Sequence, residues 1–163
     1  MTWRVWGRRL ETADLTSTSV YQTIKFNSNI VFRGVRLWVI HYNDPTYTNL
    51  NLKLYTGSTG STSTSVPKEL LATSTNIQTK ASIAETEVNA HKEIWFEFND
   101  IALNKDTVYH LVVNGSGYTS NWPTSGLALR RAFPDPIYTT NISVNWNNLN
   151  RLPFMYTIIG AEI

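Results

Sequence analysis

YTGSTGSTSTSVPKE, residues 55 to 69, decides the architecture. A strand-like ending runs into serine, threonine and glycine, and patterned sequence resumes only at Pro67. As a linker the tract divides the chain into two domains, and as a loop it leaves one. The three or four strand-like segments before it are too few to close two sheets over a core, and those after it have no cover for their own apolar face. Neither side repeats the other. The tract is therefore expected to be a long Ser/Thr/Gly-rich loop over residues 56–67, at one end of a single domain spanning 1–163. Its composition suggests a mobile surface tip.

Around the tract the dominant period is two, the mark of half-buried strands. Gln22, Ile24 and Phe26 alternate with Tyr21, Thr23 and Lys25, while Val35, Leu37 and Val39 alternate with Arg36, Trp38 and Ile40. Leu50, Leu52 and Leu54 are separated by Asn51 and Lys53. EIWFEF (93–98) sets Ile94, Phe96 and Phe98 against Glu93, Trp95 and Glu97, and VYHLVV (108–113) sets Tyr109, Leu111 and Val113 against Val108, His110 and Val112. GLALRRAF, ISVNW, RLPFMYTII and the opening TWRVW bring the count to nine or ten strands. The best helical candidate, KASIAETEVNAHK, lacks an apolar stripe and supports a single turn near Ile83 to Val88. The expected fold is all-β, one antiparallel β-sandwich of jelly-roll type with little or no helix.

Composition narrows the function. The 163 residues include no cysteine, which excludes disulfides, thiolate metal sites and a thiol nucleophile. Charged residues make up 16% of the chain and the net charge is +2, with Arg8-Arg9 and Arg130-Arg131 the only tight basic groups, so no nucleic-acid face is expected. No apolar run has the length of a signal peptide or a membrane span, so the protein is expected either to be made and used in the cytoplasm or to reach the outside without a classical signal, with no membrane partner.

No GxSxG elbow, P-loop or GxGxxG fingerprint occurs, and His41, His91 and His110 stand in no ligand spacing. They read as surface or rim histidines, with His110 on the polar face of its strand and His91 in a connection. Glu85 and Glu87 fall in a loop, Glu93 and Glu97 on a solvent face. Asp44, Asp100, Asp106 and Asp135 stand beside turn formers, which explains them without calcium. No catalytic residue, metal or cofactor is assigned.

Two aromatic loops suggest sugar stacking. NGSGYTSNWPTSG (114–126) carries Tyr118 and Trp122, and HYNDPTYTN (41–49) carries Tyr42, Asp44 and Tyr47. They form a platform for a host glycan only if both loops spring from one end of the sandwich; the plainer account packs Trp122 under its own loop. Six tryptophans are many for one sandwich core, and Trp3, Trp6, Trp38, Trp95 and Trp146 include several on nominally polar faces. They are candidates for an interface with another subunit, or for a second layer formed by terminal segments. Residues 1–12 serve either as an edge strand or as an arm docking on a neighbour.

Laid out in order, FRGVRLWV, NLNLKLYTG, PKELLATST and EIWFEFNDIALNKDTVYHLVV resemble the jelly-roll accessory modules of tailed-phage particles and bacterial surface proteins. The resemblance covers Tyr21 to Val113, and its motifs are structural. It implies a non-enzymatic virion protein, in head decoration, tail or baseplate, that contacts itself as a trimer or ring and contacts other virion proteins.

Overall fold

A computed structural model of the chain describes residues 3–7, 10–14, 19–42, 48–62, 64–83, 91–116, 126–132, 142–147 and 156–163. Alternating sequence becomes strand almost wherever it occurs. The elements are β1 (Trp3–Gly7), β2 (Leu10–Asp14), β3 (Ser19–Phe26), β4 (Ile30–Tyr42), β5 (Asn49–Gly57), β6 (Pro67–Thr73), β7 (Gln78–Thr79), α1 (Lys80–Ile83), β8 (His91–Leu103), β9 (Val108–Ser116), β10 (Gly126–Ala132), β11 (Ile142–Asn147) and β12 (Tyr156–Glu162). β2 and the two-residue β7 are additional to the segments read from sequence. Among the described residues the one helical turn is Lys80–Ile83, which ends where the expected Ile83 to Val88 turn begins; residues 84–90 lie outside the described ones.

All strand pairings are antiparallel, in two sheets. In the first sheet β4 has β8 along one edge and, along the other, β12 opposite Ile30–Leu37 followed by β10 opposite Val39–Tyr42. β1 pairs with β12 and β2 with β10, so the N-terminal segment forms the far side of this sheet. The second sheet runs β11-β3-β9-β5, then β6 and β7 on the free edge of β5. Eight strands, in orders β2-β10-β4-β8 and β3-β9-β5-β6, form a jelly roll. The C-terminal β11 and β12 add one row beside β3 and complete the row begun by β10.

The core lies between the sheets. Ile24 and Phe26 of β3, Val35, Leu37 and Val39 of β4, Leu50, Leu52 and Leu54 of β5, Ile94, Phe96 and Phe98 of β8, and Tyr109, Leu111 and Val113 of β9 form one buried cluster. Each such aliphatic or Phe side chain contributes about 1.5–3 kcal/mol by leaving water.

One irregularity shapes the first sheet. Alternation in β4 puts Ile30 and Phe32 inside but resumes with Val35, and the register slips between Phe32 and Gly34 against both β8 and β12. Opposite Arg33, β8 supplies Phe98, Asn99 and Asp100, after which its inward positions shift from even to odd numbers at Leu103. This bulge turns both strands together and lets β8 run to Leu103, well past the expected EIWFEF segment. At its other end β8 begins at His91, paired with Ile40, where a connection was expected. Arg33 sits at the slip and grips Asp100 through two hydrogen bonds of 2.8 and 3.1 Å.

Candidate functional site

The one cluster of reactive-type side chains in close array among the described residues is on the second sheet. Thr23 on β3 is opposite His110 on β9, and Thr23 Oγ1 lies 3.0 Å from His110 Nδ1. Ser65, from the low-complexity tract, places Oγ 3.0 Å from His110 Nε2. Tyr21 meets the imidazole edge-on at 5.4 Å between ring centres. Thr23, Ser65 and His110 are all fully buried. The expectation that His110 is a surface or rim histidine is therefore corrected: its strand face does point away from the core, but the 58–65 loop folds back and covers it.

The loop is built for this. Ser58 N donates to Val66 O at 2.9 Å and Val66 N donates to Ser58 Oγ at 3.0 Å, closing its base. Ser65 N donates to Ser61 O at 3.0 Å, which turns the Ser65 hydroxyl toward the sheet. Gly57 makes room: a Cβ there would come within 2.4 Å of Ser65 Oγ and 2.9 Å of Val108 Cγ1. The tract thus brings Ser65 down as a cover on His110, while Ser58, Thr59, Gly60, Ser61 and Thr64 are exposed.

Serine beside histidine, with a third group on the other ring nitrogen, is the geometry of a nucleophile with its base. Here the third group is a hydroxyl and the serine has no exposed surface, so no substrate reaches it in this arrangement. Burial pushes the His110 imidazole down to about 4, so the ring is neutral at ordinary pH. A neutral ring donates through one nitrogen and accepts through the other, so one of the two hydroxyls donates to the ring and the other accepts from it. The cluster ties a loop to a sheet.

On the outer side of the first sheet a second polar cluster lies in the open. Trp95 on β8 leans over Gly34 of β4, where an added Cβ would meet its Cη2 at 2.5 Å. The Arg36 guanidinium carbon is 5.6 Å from the centre of the Trp95 ring, and Trp95 Nε1 donates to Glu97 Oε1 at 2.8 Å. A half-open depression of about 310 Å³ beside it is lined by Arg33, Thr75, Trp95, Glu97, Phe98 and Asn99. The polar groups around it largely satisfy one another, Arg33 being paired with Asp100 and Trp95 with Glu97.

The free edge of β8 is sealed by the connection between β6 and β7 and by the first residue of β7. Asn76 Nδ2 and Gln78 Nε2 donate to Trp95 O at 2.8 and 2.7 Å, Glu97 N donates to Asn76 Oδ1 at 2.7 Å, and Thr75 N donates to Glu97 O at 2.7 Å. Glu93 and Glu97 are exposed, as their alternation suggested. The amide side chain of Asn76 thus takes the place of a neighbouring strand's peptide group.

The remaining sequence candidates divide by location. Tyr118, Trp122, Asp44 and Tyr47 lie outside the described residues, and so do Asp135, Glu85 and Glu87. The stems of the two aromatic loops are nonetheless adjacent. Tyr42, where one loop leaves β4, pairs with Gly126, where the other enters β10; Asn49 and Ser116 pair at the opposite stems. Both loops therefore spring from the same end of the sandwich. Of the tryptophans, Trp3, Trp6 and Trp146 pair with the buried Ala161, Ile158 and Gln22, whereas Trp38 and Trp95 pair with the exposed Glu93 and Arg36. Asp106 holds a positive φ of 58° in the turn between β8 and β9, a conformation Asp tolerates, and its N–H bonds Phe26 O at 2.8 Å.

Sequence reasoning missed Ser65 and Thr23. Thr23 becomes visible only once β3 is paired with β9, and nothing distinguishes Ser65 from the other hydroxyls of its run. In comparison with known proteins, the chain matches no family's sequence profile, and no curated protein is significantly similar to it.

Proposed function

We propose that the chain is a non-enzymatic assembly module that works through protein–protein contacts, of the kind built into tailed-phage particles as head decoration, tail or baseplate components. The observation that carries the reading is the exposure of four large apolar side chains between residues 66 and 77. Val66, Leu70, Leu71 and Ile77 are each about half exposed, and they account for four of the five exposed large hydrophobics among the described residues. Exposed apolar side chains this close in sequence favour a partner. The frame that carries them is well tied, with a strapped loop on one sheet and a sealed edge on the other. The virion setting rests on the likeness of Tyr21 to Val113 to phage jelly-roll modules. Mass spectrometry of density-purified particles tests it: the chain is expected at fixed stoichiometry to the major structural proteins, and its presence only in the soluble fraction of the lysate overturns the reading.

A second reading is favoured by the paired stems of the aromatic loops, since a glycan platform requires both at one end. In that case Tyr118 and Trp122 stack on sugar rings, with Tyr42, Asp44 and Tyr47 beside them. A glycan array decides: binding that Trp122→Ala abolishes supports the reading, and binding indifferent to that change removes it.

A further inference from the structure

The segment Val66–Pro67–Lys68–Glu69–Leu70–Leu71 has an internal symmetry of chemical type. Reversed, with its charges inverted, it reads as itself: apolar, apolar, cation, anion, apolar, apolar. An interface about a two-fold axis requires one patch to complement its own copy, and this is the pattern that does so.

The local structure presents it. β6 lies at the free edge of the second sheet, and its register against β5 slips twice, between Leu54 and Tyr55 and between Tyr55 and Gly57. The extra residues on β6 break the alternation, so Lys68, Glu69, Leu70 and Leu71 are exposed in succession. Pro67 has no N–H to give to an added strand and the two slips interrupt the row of edge groups, so extension of the sheet by a further strand is hindered. What the edge offers is side chains.

We infer that this edge is a contact between two copies of the chain, related by a two-fold axis passing between Lys68 and Glu69. Lys68 of one copy then faces Glu69 of the other, Val66 faces Leu71, and Pro67 faces Leu70. The two leucines and the valine supply apolar burial, and the reciprocal charge pairs set the register and exclude the parallel arrangement, which would oppose like charges. The inference rests on the assembly reading and names its partner as the chain itself.

Sedimentation velocity from micromolar to millimolar concentration tests it on the intact chain. A concentration-dependent dimer is expected. Leu70→Ser with Leu71→Ser should weaken it about a hundredfold or more, because four leucines per dimer lose their burial. Lys68→Glu should weaken it about tenfold, and Lys68→Glu combined with Glu69→Lys should return it to within about threefold of the native constant. Circular dichroism confirms that these exposed substitutions leave the fold in place. A chain monomeric throughout the range, a dimer unmoved by the leucine changes, or a charge swap that fails to restore association each overturns the contact. Particles that contain the chain while it stays monomeric alone overturn this contact and leave the assembly reading standing; a dimer absent from particles does the reverse.

Discussion

The outer faces of the two sheets each carry a polar cluster, and only one of them is roofed. Around His110 a loop has closed over side chains that strand alternation assigns to solvent, and every polar atom there depends on its neighbours. Around Trp95 the side chains of Arg36 and Glu97 are exposed, and water offers each an alternative partner. Removal of a group therefore costs desolvation in the first place and little in the second.

Substitution of the histidine breaks this contrast most sharply. His110→Ala leaves two buried hydroxyls facing a void and should lower stability by about 3–4 kcal/mol in urea unfolding. Acid acts on the same ring. Above pH 6.5 His110 is neutral whether the chain is folded or not; below it the unfolded chain takes up a proton that the folded one refuses until about pH 4. Stability should fall across that window by roughly 2–3 kcal/mol, and His110→Gln, which stays neutral, should flatten that part of the profile.

On the open side the backbone is the sensitive element. Gly34→Ala brings a methyl group against Trp95 and the Phe96 carbonyl, 2.7 Å away, and should cost about 2 kcal/mol in the same assay. Ser65→Ala removes the loop's hold on the ring and should cost about 1–1.5 kcal/mol, with faster amide exchange from Ser58 to Ser65. Arg33→Ala should leave the unfolding midpoint unmoved within error, because the pair with Asp100 is half exposed on both sides.

Inner faces were legible in the sequence. Leu50, Leu52 and Leu54, and likewise Ile94, Phe96 and Phe98, point inward as period two requires, because a strand has only two sides and the core claims one. The outer faces were not legible, since their burial depends on what folds back over them. Tyr55 and His110 are cross-strand neighbours on one such face, and no local pattern shows that Ser65 will cover the histidine. The parity slip at Arg33 was written in the chain as Ile30, Phe32, then Val35, but it acquires meaning only beside the matching slip in β8. Of the candidate sites, the shared end of the aromatic loops was stated as a condition and its stems satisfy it. The clamp was invisible because each of its three members comes from a different segment.

The Asn76 seal on β8 has a consequence for how the chain reaches its folded state. β8 belongs to the first sheet, whereas Asn76 sits between two strands of the second. Until the sheets dock, the backbone of β8 at Trp95 and Glu97 is an open template within an apolar segment. An edge left open before docking can pair with another chain, so a substitution that removes the seal, such as Asn76→Ala, is expected to lower the yield of soluble protein.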